Sequence, residues 1–253
     1  MSHPEVFVEK KEKLTRVKRV GLDLDDTFFY IADPSLKILN ERFGTNFTVE
    51  KIEEFWYVQA FLRQLGKTER EIEFFRDEVY RSSDDKYRVY RDSPPIPGAV
   101  EVLNGIYRVG HKPFVLTSRP PGLEAIIEEQ FSAEGIDWIK GDWADGGNIL
   151  IRDGEYWEEM TSEEFKLLAI RGDFSFGKYK DFPGLDLHLD DMGELLYHPL
   201  ATEIRDRIFI LAQRHNLKIV PKENLVNNWW VFYKLVRCQA RGEEFDLANV
   251  AQY

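Results

Sequence analysis

Cysteine is almost missing from this chain of 253 residues: Cys238 is its one thiol. A single cysteine closes no internal disulfide, which suits a reducing compartment and leaves Cys238 the role of a buried structural thiol. Basic residues are in short supply too. Lys and Arg number 34 against 45 Asp and Glu, a net charge of −11. Phosphate backbones are held mostly by excess Lys and Arg, so long nucleic acids are disfavoured as partners. A small phosphorylated ligand in a local positive pocket is still compatible with that balance. No uninterrupted apolar stretch approaches the ~20 residues of a membrane span. Residues 1–16 are charged and lack the apolar middle of a secretory signal. Internal repeats and low-complexity tracts are absent. The expectation is a cytoplasmic protein.

Apolar residues make up 43% of the chain and aromatics 14%, enough for a sizeable core. The length fits one large domain, or a core domain with a smaller companion. Apolar runs at residues 17–24, 113–117, 137–139, 148–151, 185–191 and 217–220 read as strands, and a short strand is expected at 6–8. Helical patterns alternate with them, which predicts an α/β protein with a doubly wound, Rossmann-like parallel sheet. Between the first two sheet strands the chain turns helical for some 60 residues. One helix opens with Asp33 as N-cap and Pro34 in its first turn and stops at Gly44. A second follows Thr48 with Ile52, Phe55 and Trp56 inward, and a third opens at the capping box of Thr68 and Glu71.

Residues 33–90 therefore read as an inserted helical cap. The α/β core comprises 1–32 and 91–253, with a C-terminal helical extension over about 222–253. Within the core, Asp153 and Gly154 read as a hairpin turn, and Thr161 with Glu164 opens a short helix. Ile204, Ile208 and Leu211 space as a helix. The last helix, 226–240, is apolar nearly all round and is expected to dock on the main domain or on a second copy, as in a homodimer.

The chemistry concentrates where strands end in acids. The first strand runs into Asp23-Leu24-Asp25-Asp26-Thr27, and a later one into Asp190-Asp191. Burying so many carboxylates is costly unless a cation or a reaction uses them. In a parallel sheet these ends share one edge, where open α/β sheets bind ligands. Magnesium takes hard oxygen ligands, which Asp23 with Asp190 or Asp191 can supply. With charge so balanced, an aspartate can attack phosphorus. Asp25, two residues after Asp23 in extended chain, faces the same side and can exchange a proton with a leaving oxygen. Thr117 and Ser118 end another strand and offer donors to a phosphate. Lys178 and Lys180, just before the last acidic strand, are candidates for the positive counterweight. Arg119 reads equally as a substrate contact or as a surface arginine pairing with local acids, and His188 as a satisfied core histidine. Helical spacing makes Phe55, Trp56 and Tyr57 core residues rather than a stacking platform, and Asp26 a turn or cap residue.

These segments resemble the haloacid dehalogenase (HAD) superfamily of phosphohydrolases over residues 17–197. Its first motif, Asp-x-Asp-x-Thr after a strand, matches Asp23-Leu24-Asp25-Asp26-Thr27. Its second matches Phe114-Val115-Leu116-Thr117, and its fourth Leu187-His188-Leu189-Asp190-Asp191. The helical insertion resembles the C1 cap type. Thr117-Ser118, and Lys180 ahead of Asp186-Leu187-His188-Leu189-Asp190-Asp191, are most similar to the 5′(3′)-deoxyribonucleotidase-like branch. The resemblance implies Asp23 as nucleophile and Asp25 as general acid/base. Thr117, Ser118 and Lys180 would bind phosphate. Magnesium would be held by Asp23, the backbone carbonyl of Asp25, and Asp190 or Asp191. The activity implied is a magnesium-dependent phosphomonoester hydrolase acting through an aspartyl-phosphate on nucleoside or deoxynucleoside monophosphates. A sugar phosphatase, a polynucleotide end-phosphatase and a non-enzymatic binding module are the alternatives.

Overall fold

The computed structural model describes residues 18–82, 84–245 and 247, so the expected strand at 6–8 lies outside them. Short apolar segments, buried on both faces, build the sheet: β1 (Arg19–Leu22), β2 (Lys112–Thr117), β3 (Ile149–Ile151), β4 (Leu187–Asp190), β5 (Ile208–Leu211) and β6 (Leu225–Val226). All pairings are parallel, in the order β3-β2-β1-β4-β5-β6. Continuous burial is what a parallel sheet with helices on both faces demands. Along β2, Val115 packs into one core cluster while Phe114 and Leu116 pack into the other. The chain starts at β1, builds outward to β3, then crosses back to β4 on the other side of β1. That reversal opens a crevice at the carboxyl ends of β1 and β4. Gly21 keeps β1 close to its surroundings, since a Cβ there would sit 2.3 Å from Leu185 Cδ1.

Among the described residues five α-helices lie between β1 and β2, and the first four form the insertion: α1 (Ala32–Phe43), α2 (Tyr57–Gln64), α3 (Glu69–Asp77) and α4 (Asp84–Arg91). They share an apolar cluster that holds Leu36, Leu39, Phe61, Leu62, Ile72 and Phe75 and that Leu123 and Ile126 of the core join. Gly44 ends α1 in the left-handed conformation and Thr68 with Glu71 closes the capping box of α3, as the sequence predicts. Two details differ. Asp33 lies inside the first turn of α1, whose leading amides are capped by Asp26 instead. After Thr48 there is one 3-10 turn (Val49–Lys51), and α2 begins only at Tyr57. Trp56 is consequently not inward but 47% exposed.

On the sheet faces, α5 (Ala99–Arg108), α6 (Glu124–Ala133) and α9 (Trp229–Arg241) share one cluster, while α7 (Gly154–Glu159) and α8 (Ser162–Arg171) share the other. The last helix buries Trp229, Phe232, Leu235 and Val236 and leaves Trp230 exposed. It packs on the core beside α5. Residues 137–139 form no strand, since the chain turns there with Ile136 and Ile139 inward. Asp153 begins α7 rather than a hairpin. The expected helix through Ile204 and Leu211 is a strand, β5, preceded by a 3-10 turn. A four-residue apolar run, buried on both faces, fits helical spacing by coincidence. Residues 217–220 are a turn with Leu217 and Ile219 exposed, and β6 takes the edge position instead. No helix among the described residues is long and apolar enough to cross a membrane.

Candidate active site

The crevice gathers the acids. Asp23 follows β1, and its amide donates to Leu189 O at 2.9 Å, which ties the end of β1 to β4. Asp23, Asp190 and Asp191 are all buried, and each offers an oxygen within 4.8 Å of the others. Into this cluster comes a lysine from α8: Lys166 Nζ lies 2.8 Å from Asp23 Oδ1 and 2.9 Å from Asp190 Oδ2. Thr27 Oγ1 bridges Asp23 and Asp191, at 3.4 Å from each. His188 Nε2 is 2.7 Å from Asp190 Oδ2, and Met192 N donates to Asp190 Oδ1. Both oxygens of Asp190 are thus occupied.

Asp25 is held by Arg119, whose Nε and Nη2 donate to Asp25 Oδ1 at 2.9 and 2.7 Å. Asp26 adopts a left-handed backbone (φ 56°) and turns its carboxylate to the amides of Ile31 and Ala32. It is a cap, as the sequence suggests. At the end of β2, Thr117 is buried and accepts from the Arg119 amide, while Ser118 Oγ accepts from Ser162 Oγ at 2.6 Å.

Among solved structures, the chain is similar to a HAD family hydrolase from Deinococcus radiodurans R1 with bound phosphate and sodium (TM-score 0.54, 11% identity, 89% of this chain and 96% of that one). A putative beta-phosphoglucomutase from Bacteroides vulgatus superposes with TM-score 0.52 at 17% identity, over 89% of each chain. A hydrolase from Pseudomonas syringae gives 0.50 at 14% identity, over 90% of this chain and all of that one. The chain has a HAD-like fold. No protein-family model matches it, and no curated protein matches it in sequence.

Within this HAD-like fold the acids expected from the sequence fall at one sheet edge, but the lysine does not. Lys180 is exposed in the turn before β4 and makes no ion pair among the described residues. Lys178 pairs with Asp142 and Asp153 at the surface. The cation at the cluster is Lys166, held by a helix whose capping box (Thr161, Glu164) the sequence announces without marking the lysine. A signal was present. Lys166 falls one turn before Ala169 and Ile170, on a face that is otherwise apolar and buried, where an ammonium needs a partner. Arg119 does pair with an acid, Asp25, but its side chain is fully buried, neither at the surface nor lining the cavity.

Electrostatics sort the acids into unlike roles. Burial pushes Asp23 up to about 7, helped by Asp190 and Asp25 and opposed by Lys166. Asp191 is raised well above the carboxylate range by burial and then by Asp23 and Asp190. For Asp190 burial also pushes upward, but Lys166 and His188 outweigh it and hold the group at about 2. Burial favours the neutral form of Lys166, yet Asp190 and Asp23 keep it an ammonium. Fully ionised, the three carboxylates would outnumber the one ammonium by two charges, which is why burial holds Asp23 and Asp191 toward their neutral forms. A divalent cation with a preference for oxygen, such as Mg2+, fits that charge and that donor set.

The sign of the pH effect follows. Carboxyls raised in the fold bind protons that the unfolded chain has already released, so they cost stability as pH rises from about 4 to 7. Asp190 acts oppositely, contributing stability at neutral pH that is lost as pH falls toward 2. In metal-free protein at pH 8, Asp191→Asn is therefore expected to raise the melting temperature, with a smaller gain at pH 5. Each ~1 kcal/mol relieved is worth about 2–4 °C in a chain of this size. Calorimetry at the two pH values checks it; a lower melting temperature at pH 8 contradicts it.

A cavity of about 240 Å³ opens onto Asp23, Asp25, Asp191, Lys166, Ser118 and Ser162. Its outer wall carries two indole–guanidinium pairs. From the helical segment, Arg76 lies 5.5 Å over Trp56; from the core, Arg152 lies 4.3 Å over Trp157.

Proposed function

We propose that the chain is a magnesium-dependent phosphomonoester hydrolase that works through an aspartyl-phosphate on Asp23. The observation that carries this reading is the cluster of Asp23, Asp190 and Asp191, with Lys166 bound to the first two, beside a cavity that Asp23, Asp191 and Lys166 line. Asp23 and Asp191, with the backbone carbonyl of Asp25, would hold the ion, because both of these side chains line the cavity. Asp190, saturated by Lys166, His188 and Met192, orients the lysine instead. When bound, magnesium supplies the charge neutralisation that lets a carboxylate approach an anionic phosphate.

Asp23 attacks phosphorus while Lys166, Ser118 and the chain end at Thr117 hold the phosphoryl oxygens. As the bond to the leaving oxygen breaks, Asp25 gives that oxygen a proton. Asp25 then takes a proton from water, which attacks the acyl phosphate and restores Asp23. Residues 33–90 act as the cap that closes over this chemistry and selects the leaving group.

The leaving group we assign is a nucleoside, which makes the substrate a nucleoside or deoxynucleoside monophosphate, as in the 5′(3′)-deoxyribonucleotidase-like branch. The support is the cavity wall: Trp56 and Trp157 offer ring faces to a base, and Arg76 and Arg152 bring cations to an anion. Initial rates over nucleotides and sugar phosphates, with Mg2+ and with EDTA, test the reading. Turnover is expected only with Mg2+ and fastest on nucleotides. Rates that survive EDTA remove the mechanism, and turnover of sugar phosphates alone removes the nucleotide. Base–aromatic stacking is worth about 1–3 kcal/mol, so Trp56→Ala should raise KM for nucleotides about tenfold and leave KM for simple phosphate esters near its starting value.

A further inference from the structure

Arg119 is a fully buried guanidinium each of whose three nitrogens donates to protein. Nε and Nη2 both reach Asp25 Oδ1, and Nη1 reaches Gln130 Oε1 at 2.6 Å. Its face lies 4.4 Å over the Tyr90 ring, and Gln130 Nε2 in turn donates to the Tyr90 carbonyl. The arginine is therefore fixed from α6 and from α4 at once. Its side chain does not line the cavity, although Ser118 and Pro120 on either side do.

Asp25 is held asymmetrically. Oδ1 takes both arginine bonds, whereas Oδ2 accepts none among the described residues, and the side chain is one-quarter exposed at the cavity. A carboxylate gripped by one oxygen keeps the other available for a proton in a fixed direction. We propose that Arg119 is a positioning residue: it grips Asp25 Oδ1, with Gln130 behind it, so that Oδ2 meets the oxygen of the departing group. The assignment rests on the phosphatase reading above and adds a residue to it.

General acid catalysis matters only when the leaving oxygen needs its proton. A sugar hydroxyl does, while p-nitrophenolate departs as a stabilised anion. The value of kcat/KM reports the steps up to departure of the leaving group, so it isolates this role from the later attack of water. For Arg119→Gln we expect kcat/KM to fall about 100-fold on a nucleoside monophosphate and less than about threefold on p-nitrophenyl phosphate. Arg119→Lys should recover part of the first loss. Gln130→Met, which keeps the buried volume, should give the same unequal pattern at smaller size and holds the test open if the arginine variants fold poorly. Equal losses on the two esters, with an active wild-type protein, overturn the positioning role alone. Wild-type protein inactive on both esters overturns the phosphatase reading and this assignment with it.

Discussion

Asp23→Asn is expected to lower phosphomonoester turnover by about 10⁴-fold or more while leaving the fold intact. The magnitude is that of removing a nucleophile that acts as a unit with its partners. An amide is close to the carboxylate in shape, so packing against Thr27 is retained, and Lys166 keeps its bond to Asp190. The substitution also removes one of the charges that crowd the cluster, so metal-free protein should melt no lower than wild type. An inactive but folded Asp23→Asn protein separates chemistry from stability. Rates within tenfold of wild type would move the nucleophile elsewhere.

Lys166→Met should be the next most damaging change, for two separable reasons. Its ammonium is the one Lys or Arg cation touching Asp23 and Asp190 among the described residues, and removing a preorganised charge from a water-poor site costs about 100- to 1,000-fold in kcat. The second reason is stability. Breaking a buried pair leaves uncompensated charge, typically at a cost of about 3–5 kcal/mol, so metal-free protein should melt several degrees lower and added Mg2+ should recover part of the loss. Lys180→Met and Lys178→Met should stay near wild-type activity, because the first is exposed and the second pairs with Asp142 and Asp153. Kinetics and calorimetry on the three variants decide the matter. A large activity loss at Lys180 with little at Lys166 would restore the lysine expected from the sequence.

The contrast between those lysines marks where sequence reading runs out. Asp23, Asp25 and Asp191 were legible because an apolar run that ends in acids states both the strand and the site within eight residues. Their meeting at one edge then follows from parallel topology. Lys166 reaches the acids only through the way α8 seats on the sheet, a tertiary fact that proximity to β4 along the chain does not carry. Within 141–177 the strand at 148–151 and the helix opened by Thr161 are both present, as β3 and α8, and only the role of that helix at the site had no local signature. Arg119 went unresolved for a similar reason, since its partner Asp25 is 94 residues away. The misread elements share a cause. Ile208 to Leu211 is a run too short for its period to separate strand from helix, and Trp56 lost its expected burial when α2 started later than Thr48 suggested. The long amphipathic helices and the capping boxes, where several local preferences agree, were read correctly.

The most direct test is to quench the protein in acid during turnover with Mg2+ and locate any phosphoryl group by mass spectrometry of its peptides. One phosphoryl group is expected on the peptide that carries Asp23, absent from Asp23→Asn and absent when EDTA replaces the metal. Sustained turnover with no phosphoryl group on that peptide, or with the group on another residue, would contradict it.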